Sequence, residues 1–341
     1  MNKSSRKVVF SREPTVGEPR DTLVSAGFEV IVNPVSWYAE KGPDSDKLIG
    51  LIADADALMI CPRDPLEGRV MTACPNLQVV VCAVIGVDKI DQAAANERGV
   101  LVCGSPAPEN FIGLAEATVG LIVALAKGLK RNETELRGGG WYKVSNRGWL
   151  MRGRTVGLVG LGRVAQETAK RLGGWGMKLV GYDPYVTAEQ AREYGVEKVE
   201  LGALLKAADV VSVHVVLTGE TRNLIGMREL RRMKREAVLV NTARGGVVNE
   251  AELAAALNEG VIAGAALDVF GNEPLEAESA LRAVDPARLI LTPHIIGHDR
   301  NVEEPGFKLA VETIRTALNG EAPWTVVNRA AIERWRTRFW S

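Results

Sequence analysis

The sequence predicts an α/β protein with two domains, each a parallel sheet covered by helices. Three observations predict it. Short apolar runs rich in β-branched residues alternate with helical patterns, and this alternation occurs twice. Residues 154–185 contain a complete strand, glycine turn, helix, strand and acid in that order. The chain has 341 residues with 46% hydrophobic and 25% charged side chains, enough for two buried cores.

The first series gives candidate strands at Val8–Phe10, Glu29–Val32, Ala57–Ile60, Gln78–Ala83 and Val100–Cys103, with helical segments at Asp46–Ala53 and Ile90–Arg98 between them. A long helical pattern runs from Asn110 to about Leu129, with Leu114, Thr118, Leu121, Ile122, Leu125 and Leu129 near one face. Residues 137–153 are glycine-rich, carry Trp141 and Trp149 and have no period, so they read as a linker or arm. The second series gives strands at Thr155–Val159, Lys178–Tyr182, Val210–Val215, Ala237–Asn241, Ala263–Val269 and Leu289–Leu291. Its helices lie at Arg163–Leu172, Leu201–Ala207, Met227–Met233 and Asn249–Asn258, and Asn249 with Glu252 reads as a capping box. A final helix, Lys308–Leu318, follows the last strand and is placed to return to the first domain, which makes that domain discontinuous.

The turn after Val159 reads Gly160-Leu161-Gly162-Arg163-Val164-Ala165. Gly160 allows a tight exit from the strand, and Gly162 has no side chain to keep a pyrophosphate from the backbone. The helix then aims its free N–H groups, beginning at Arg163 and Val164, and its positive dipole end at the phosphates. Asp183 stands 23 residues beyond Gly160, placed to accept hydrogen bonds from a ribose. Its charge disfavours a 2′-phosphate, so the expected cofactor is NAD.

Lys+Arg and Asp+Glu are 42 each, giving zero net charge and no basic footprint for nucleic acid or an acidic membrane surface. The four cysteines, Cys61, Cys74, Cys82 and Cys103, form no CxxC pair and lie far in sequence from His214, His294 and His298. Buried thiols and no metal site are expected. The N-terminus has no apolar signal core, and the most apolar stretch, Val119–Ala126, is shorter than a bilayer span, so a cytoplasmic protein is expected.

Three polar residues follow second-series strands, at the sheet end where open α/β folds bind ligands: Arg244 in NTARGG, Glu273 in DVFGNEP and His294 in LTPHIIG. Singly, each fits a salt bridge, a turn or a structural histidine. Together they supply what hydride transfer to a 2-oxo acid needs. A guanidinium holds the carboxylate and polarises the ketone. An imidazolium delivers a proton, and a carboxylate on the other ring nitrogen fixes the tautomer.

Over almost its whole length the chain resembles the D-isomer-specific 2-hydroxyacid dehydrogenases, through VGLVGLGRVAQ, SVHVVLTGETRNLIG, VNTARGGVVNEAEL, AGAALDVFGNEPL and LTPHIIG. The resemblance implies two Rossmann-like or flavodoxin-like parallel-sheet domains with an interdomain cleft. The substrate domain would comprise residues 1–108 and 294–341, and the NAD-binding domain 109–293. It implies Arg244 as substrate anchor, His294 as acid/base and Glu273 as its partner. Asp268 would contact the nicotinamide carboxamide, with His214, Thr242 and Ala243 lining the cofactor site. Backbone N–H groups near Ile85 and Gly86 would take the substrate carboxylate, Asn110 would face the cleft, and the protein would be a homodimer. The implied activity interconverts a D-2-hydroxy acid and its 2-oxo acid. The alternative from another class is an NAD-sensing scaffold or corepressor on the same fold.

Several positions depart from the family pattern. Val84 replaces a small residue and implies a tighter or more apolar pocket, and Val216 replaces a proline. Ile296 stands where glycine commonly follows the histidine, and His298 and Asp299 replace small or hydroxyl residues. His298 reads either as a contact for a substrate's distal polar group or as a solvated loop residue, and the second is the expectation. Ile85 in place of lysine argues against phosphite oxidation, Glu273 in place of glutamine argues against formate oxidation, and no regulatory domain of the phosphoglycerate type is expected.

Overall fold

The computed structural model describes residues 5–298 and 300–341. Its contacts divide the chain into two compact units: residues 1–110 with 299–341, and residues 111–298.

Unit 1 alternates β1 (Lys7–Phe10), α1 (Pro19–Ser25), β2 (Glu29–Val32), α2 (Ser45–Ile52), β3 (Ala57–Ile60), α3 (Gly68–Ala73), β4 (Val79–Cys82), α4 (Gln92–Arg98) and β5 (Leu101–Cys103). Among the described residues these strands form one parallel sheet in the order β2-β1-β3-β4-β5. Successive side chains alternate faces, so the sheet contributes to two cores. Val9, Leu58, Ile60 and Val80 pack with Leu48, Ile52 and Val70. Val8, Phe10, Met59 and Val81 pack with Phe307, Ala310, Ile314 and Trp335 from the far end of the chain. That second face is why the unit is discontinuous.

Unit 2 holds most of α5 (Pro108–Lys127), then α6 (Leu129–Arg137), β6 (Thr155–Val159), α7 (Arg163–Gly173), β7 (Lys178–Tyr182), α8 (Ala188–Glu193), β8 (Glu197–Lys198), α9 (Leu201–Ala207), β9 (Val210–Val213), α10 (Met227–Leu230), β10 (Val238–Asn241), α11 (Glu250–Glu259), β11 (Gly264–Leu267) and β12 (Leu289–Leu291). The strands form a parallel sheet ordered β12-β11-β10-β9-β6-β7-β8. After β7 and β8 extend one side, the chain returns to the other side of β6 to lay down β9. The topological switch point therefore lies between β6 and β9, where the loops at the strands' carboxyl ends separate. Two helices complete unit 1: α12 (Arg300–Leu318) and α13 (Ile332–Phe339).

Several expectations are corrected. The long helix ends at Lys127, because Gly128 adopts the left-handed conformation (φ 60°), and a separate helix, α6, occupies 129–137; Leu129 points outward, 56% exposed. Helix α12 starts before Pro305 rather than after it, and α13 follows where the sequence reads only as a tail. Asn249 does cap α11, accepting from the Glu252 N–H at 3.2 Å, but the Glu252 carboxylate turns to the Met227 N–H, so the box is only half closed. Residues 294–298 belong to unit 2 rather than to the first domain, held there by hydrogen bonds to Glu273 and Asp268.

By length and composition alone, α5 is apolar enough to cross a bilayer, being longer than the run read from sequence. Its Ala115, Thr118, Leu121, Ile122 and Ala126 are nonetheless buried. All four cysteines are buried and unpaired, and burial raises the Cys103 thiol to about 12 and that of Cys74 to about 11.

Candidate active site

The glycine turn has the shape its residues demand. Gly160 sits at φ +94°, and a Cβ there would lie 2.9 Å from the His214 carbonyl carbon, so both backbone and space require glycine. Gly162 is the N-cap of α7, with open space where a side chain would stand and no side chain to occupy the helix's first N–H groups. The Arg163 guanidinium lies over the Phe111 ring at 4.9 Å. Asp183 braces the turn: one carboxylate oxygen accepts from the Leu161 N–H at 2.9 Å, the other from the Tyr185 N–H at 2.8 Å. A small-residue cradle, an uncapped helix N-terminus and an acid beside it form the donor and acceptor set a dinucleotide needs.

His214 follows β9, its backbone N–H on the Val159 carbonyl at 2.7 Å and its Nε2 2.9 Å from the Ser212 hydroxyl. Burial pushes its pKa down to about 4, so the ring is neutral at neutral pH. Thr242 is buried at the end of β10, its hydroxyl 2.9 Å from that of Thr118 on α5. Asn241, which the sequence did not single out, wraps the next turn. Its Oδ1 accepts from the Ala243 N–H at 3.1 Å, and its Nδ2 donates to the Arg244 carbonyl at 2.9 Å. An asparagine at a strand end just before a loop is the available signal, because its amide mimics a backbone turn.

Arg244 donates from Nη1 to the Ala243 carbonyl at 2.7 Å. The next residue, Gly245, packs so closely on the loop after β11 that a Cβ would come within 1.9 Å of the Phe270 carbonyl carbon. That loop carries Glu273. The Glu273 carboxylate accepts from the Phe270 N–H at 3.0 Å and sits 2.8 and 3.0 Å from His294 Nδ1. His294 adopts a left-handed backbone (φ 52°) beyond a short turn in which its N–H reaches the Thr292 carbonyl. Such a conformation costs on the order of 1–3 kcal/mol for a non-glycine residue and persists only where the surroundings impose it. Here Asp268 does so: buried to 1% exposure, it accepts from the Thr292 hydroxyl at 2.6 Å and the Ile295 N–H at 3.1 Å. Burial raises the Asp268 pKa, while these two bonds oppose the rise.

Thus Glu273 and His294 are joined directly, and Arg244 is registered to them through the contact of Gly245 with Phe270. Ile85 and Gly86 lie in unit 1 after β4, in a loop seated by Gly104, where a Cβ would meet the Ile85 carbonyl at 2.8 Å. Val84 packs partly against the adjacent core. Asn110 closes the first stretch of unit 1 with a buried Oδ1 that has no hydrogen-bond partner. Ile296 packs against the core beneath α5 and α7, and His298 is partly buried rather than solvated, its N–H on the Ile295 carbonyl. Asp299 lies outside the described residues.

The profile of the D-isomer specific 2-hydroxyacid dehydrogenase NAD binding domain matches residues 119–295. Glyoxylate reductase of Thermofilum pendens is 39% identical over 329 residues, covering 93% of this chain and 94% of that protein. The chain belongs to the D-isomer specific 2-hydroxyacid dehydrogenase family. D-3-phosphoglycerate dehydrogenase of Mycobacterium bovis is 38% identical over 307 residues, covering 90% of this chain, but the chain spans only 56% of that relative's length. Among solved structures, a protein from Thermus thermophilus superposes with a TM-score of 0.84 at 33% identity, covering 94% of this chain and 99% of the other. Unit 2, with its glycine turn and Asp183, is the family's NAD-binding domain.

Proposed function

We propose that the protein interconverts a D-2-hydroxy acid and the corresponding 2-oxo acid with NAD as cofactor, working chiefly as a reductase. The observation that carries the reading is the paired contact of both Glu273 oxygens with His294 Nδ1, in a loop packed directly against the Arg244 turn. The nicotinamide, when bound, supplies or accepts the hydride at the substrate's C2. Arg244 binds the substrate carboxylate and draws charge from the carbonyl oxygen. Glu273 holds Nδ1–H, so Nε2 carries the transferable proton and gives it to that oxygen on reduction, or takes it from the hydroxyl on oxidation. Amides at Gly162, Arg163 and Val164 receive the pyrophosphate, and Asp183 the ribose. Neutral His214, Thr242 and Ala243 line the cofactor site, and Asp268 meets the nicotinamide carboxamide.

The near full-length match to a glyoxylate reductase supports a small 2-oxo acid such as glyoxylate or hydroxypyruvate. The exposed apolar arm formed by Leu129, Leu136, Trp141, Tyr142, Val144 and Leu150 supports a homodimer. The same reading makes the protein cytoplasmic. The test is a panel of 2-oxo acids with NADH, followed at the nicotinamide absorbance. Turnover of a small 2-oxo acid is expected; NADH binding without turnover of any acid would defeat the reading and favour an NAD-sensing scaffold.

A further inference from the structure

We propose that Glu250, at the start of α11, is a positioning residue for the Glu273–His294 pair: by holding the Gly271 amide it fixes the loop that presents Glu273. The proposal rests on the function proposed above.

Three observations carry it. First, Glu250 Oε1 accepts from the Gly271 N–H at 2.5 Å, joining α11 to a loop 21 residues further on. Second, the same peptide is packed directly against Gly245. A Cβ on Gly245 would lie 1.9 Å from the Phe270 carbonyl carbon and 2.4 Å from the Gly271 nitrogen. The segment 244–250 therefore carries the substrate-anchoring guanidinium, the glycine that seats the 270–271 peptide, and the carboxylate that bonds it. Third, the Phe270 N–H, one residue before the bonded amide, donates to Glu273 Oε1 at 3.0 Å, and Glu273 in turn holds His294 Nδ1. The chain of contacts runs Arg244–Gly245, Phe270–Gly271, Glu273, His294, with Glu250 closing it against slippage.

The competing role is ordinary. An acid in the first turn of a helix stabilises that helix through the macrodipole whatever lies nearby. Glu250 is poorly suited to that role alone. It is half-buried, and its pKa is raised by that burial and by the charges of Glu273 and Glu276, against the opposing effect of the Gly271 bond. A carboxylate placed for helix stability has no reason to sit among two others.

The test compares Glu250→Ala with Glu250→Gln, whose amide oxygen still accepts from Gly271, each made alone and in a Glu273→Ala background. Glu250→Ala should lower kcat about tenfold, roughly the worth of one hydrogen bond, with the Kd for NADH by fluorescence unchanged. Glu250→Gln should restore most of the loss. In the Glu273→Ala background Glu250→Ala should have no further effect, since its influence passes through Glu273. The chain has three histidines, His214, His294 and His298, so the His294 Nδ1 proton can be assigned by nitrogen-edited NMR. It should broaden in Glu250→Ala and persist in Glu250→Gln. An unchanged kcat, an undiminished loss in the Glu273→Ala background, or an unaltered Nδ1 signal overturns the proposal. If Glu250→Ala does not fold, Glu250→Asp, one methylene short of Gly271, takes its place with the same expectations. If the wild type turns over no acid, the functional reading fails, whereas the Nδ1 signal still decides the role of Glu250.

Discussion

Replacing Glu273 by alanine removes the acceptor of two hydrogen bonds, from His294 Nδ1 at 2.8 Å and from the Phe270 N–H at 3.0 Å. The Phe270 amide can turn to water at this partly open site, so its loss is small. The bond to the imidazole is different. It fixes which nitrogen carries the transferable proton, and it gains strength when the ring is cationic. A hydrogen bond to an ionised partner contributes about 1.5–3 kcal/mol, and each 1.36 kcal/mol in the barrier is tenfold in rate. The expected fall in kcat is therefore roughly 10- to 150-fold for Glu273→Ala. Glu273→Gln keeps an acceptor but not its charge and should lie between. Steady-state oxidation of NADH with the best 2-oxo acid gives kcat, and NADH fluorescence titration gives cofactor affinity. A Glu273→Ala enzyme with kcat within about twofold of wild type, or one whose loss is entirely in NADH affinity, would remove Glu273 from proton transfer.

His214 has a folded pKa of about 4 against an ordinary 6.5, so between those values the unfolded chain binds a proton that the folded chain refuses. Stability should be unaffected above pH 6.5 and should fall as pH drops toward 4, by roughly 2–3 kcal/mol given partial solvent access. Urea midpoints at pH 7 and pH 5 measure this, and a His214→Gln protein that keeps the full slope would assign it elsewhere. Gly160→Ala places a Cβ 2.9 Å from the His214 backbone at φ +94°; a loss of about 1–3 kcal/mol in stability and about tenfold weaker NADH binding are expected, and calorimetry that finds neither would contradict the turn geometry. Asp183→Ala should weaken NADH about tenfold or more while narrowing the gap to NADPH, and an unaltered ratio of the two affinities would sink the ribose assignment.

Much of this was legible in the sequence where one local rule acts alone. Thr155–Val159 and Lys178–Tyr182 were readable to the residue, because buried parallel strands are uninterrupted apolar runs bounded by turns. The glycine turn was readable because only glycine tolerates φ +94° there. The break at Gly128 was not, since Leu129 continued the helical period and a glycine in a helix is not always its end. The placement of His294 with unit 2 was hidden because its ring bonds Glu273 and the next residue's N–H bonds Asp268, both more than 20 residues away in sequence. Glu252 and Glu250 show the same limit. Both look like helix-start acids, yet each carboxylate accepts a backbone N–H from another segment, Met227 and Gly271 respectively, and no local pattern records that.

The sheet of unit 1 buries Val8, Phe10, Met59 and Val81 beneath Phe307, Ala310, Ile314 and Trp335. During translation those first strands emerge long before their cover does. At about 5–20 residues per second the wait is on the order of ten to forty seconds. For that interval the nascent chain carries a naked apolar face, while unit 2, one uninterrupted stretch, can finish folding. Chaperone demand should therefore track residues 307–335: a ribosome stalled just before them would present the stickiest form of the polypeptide.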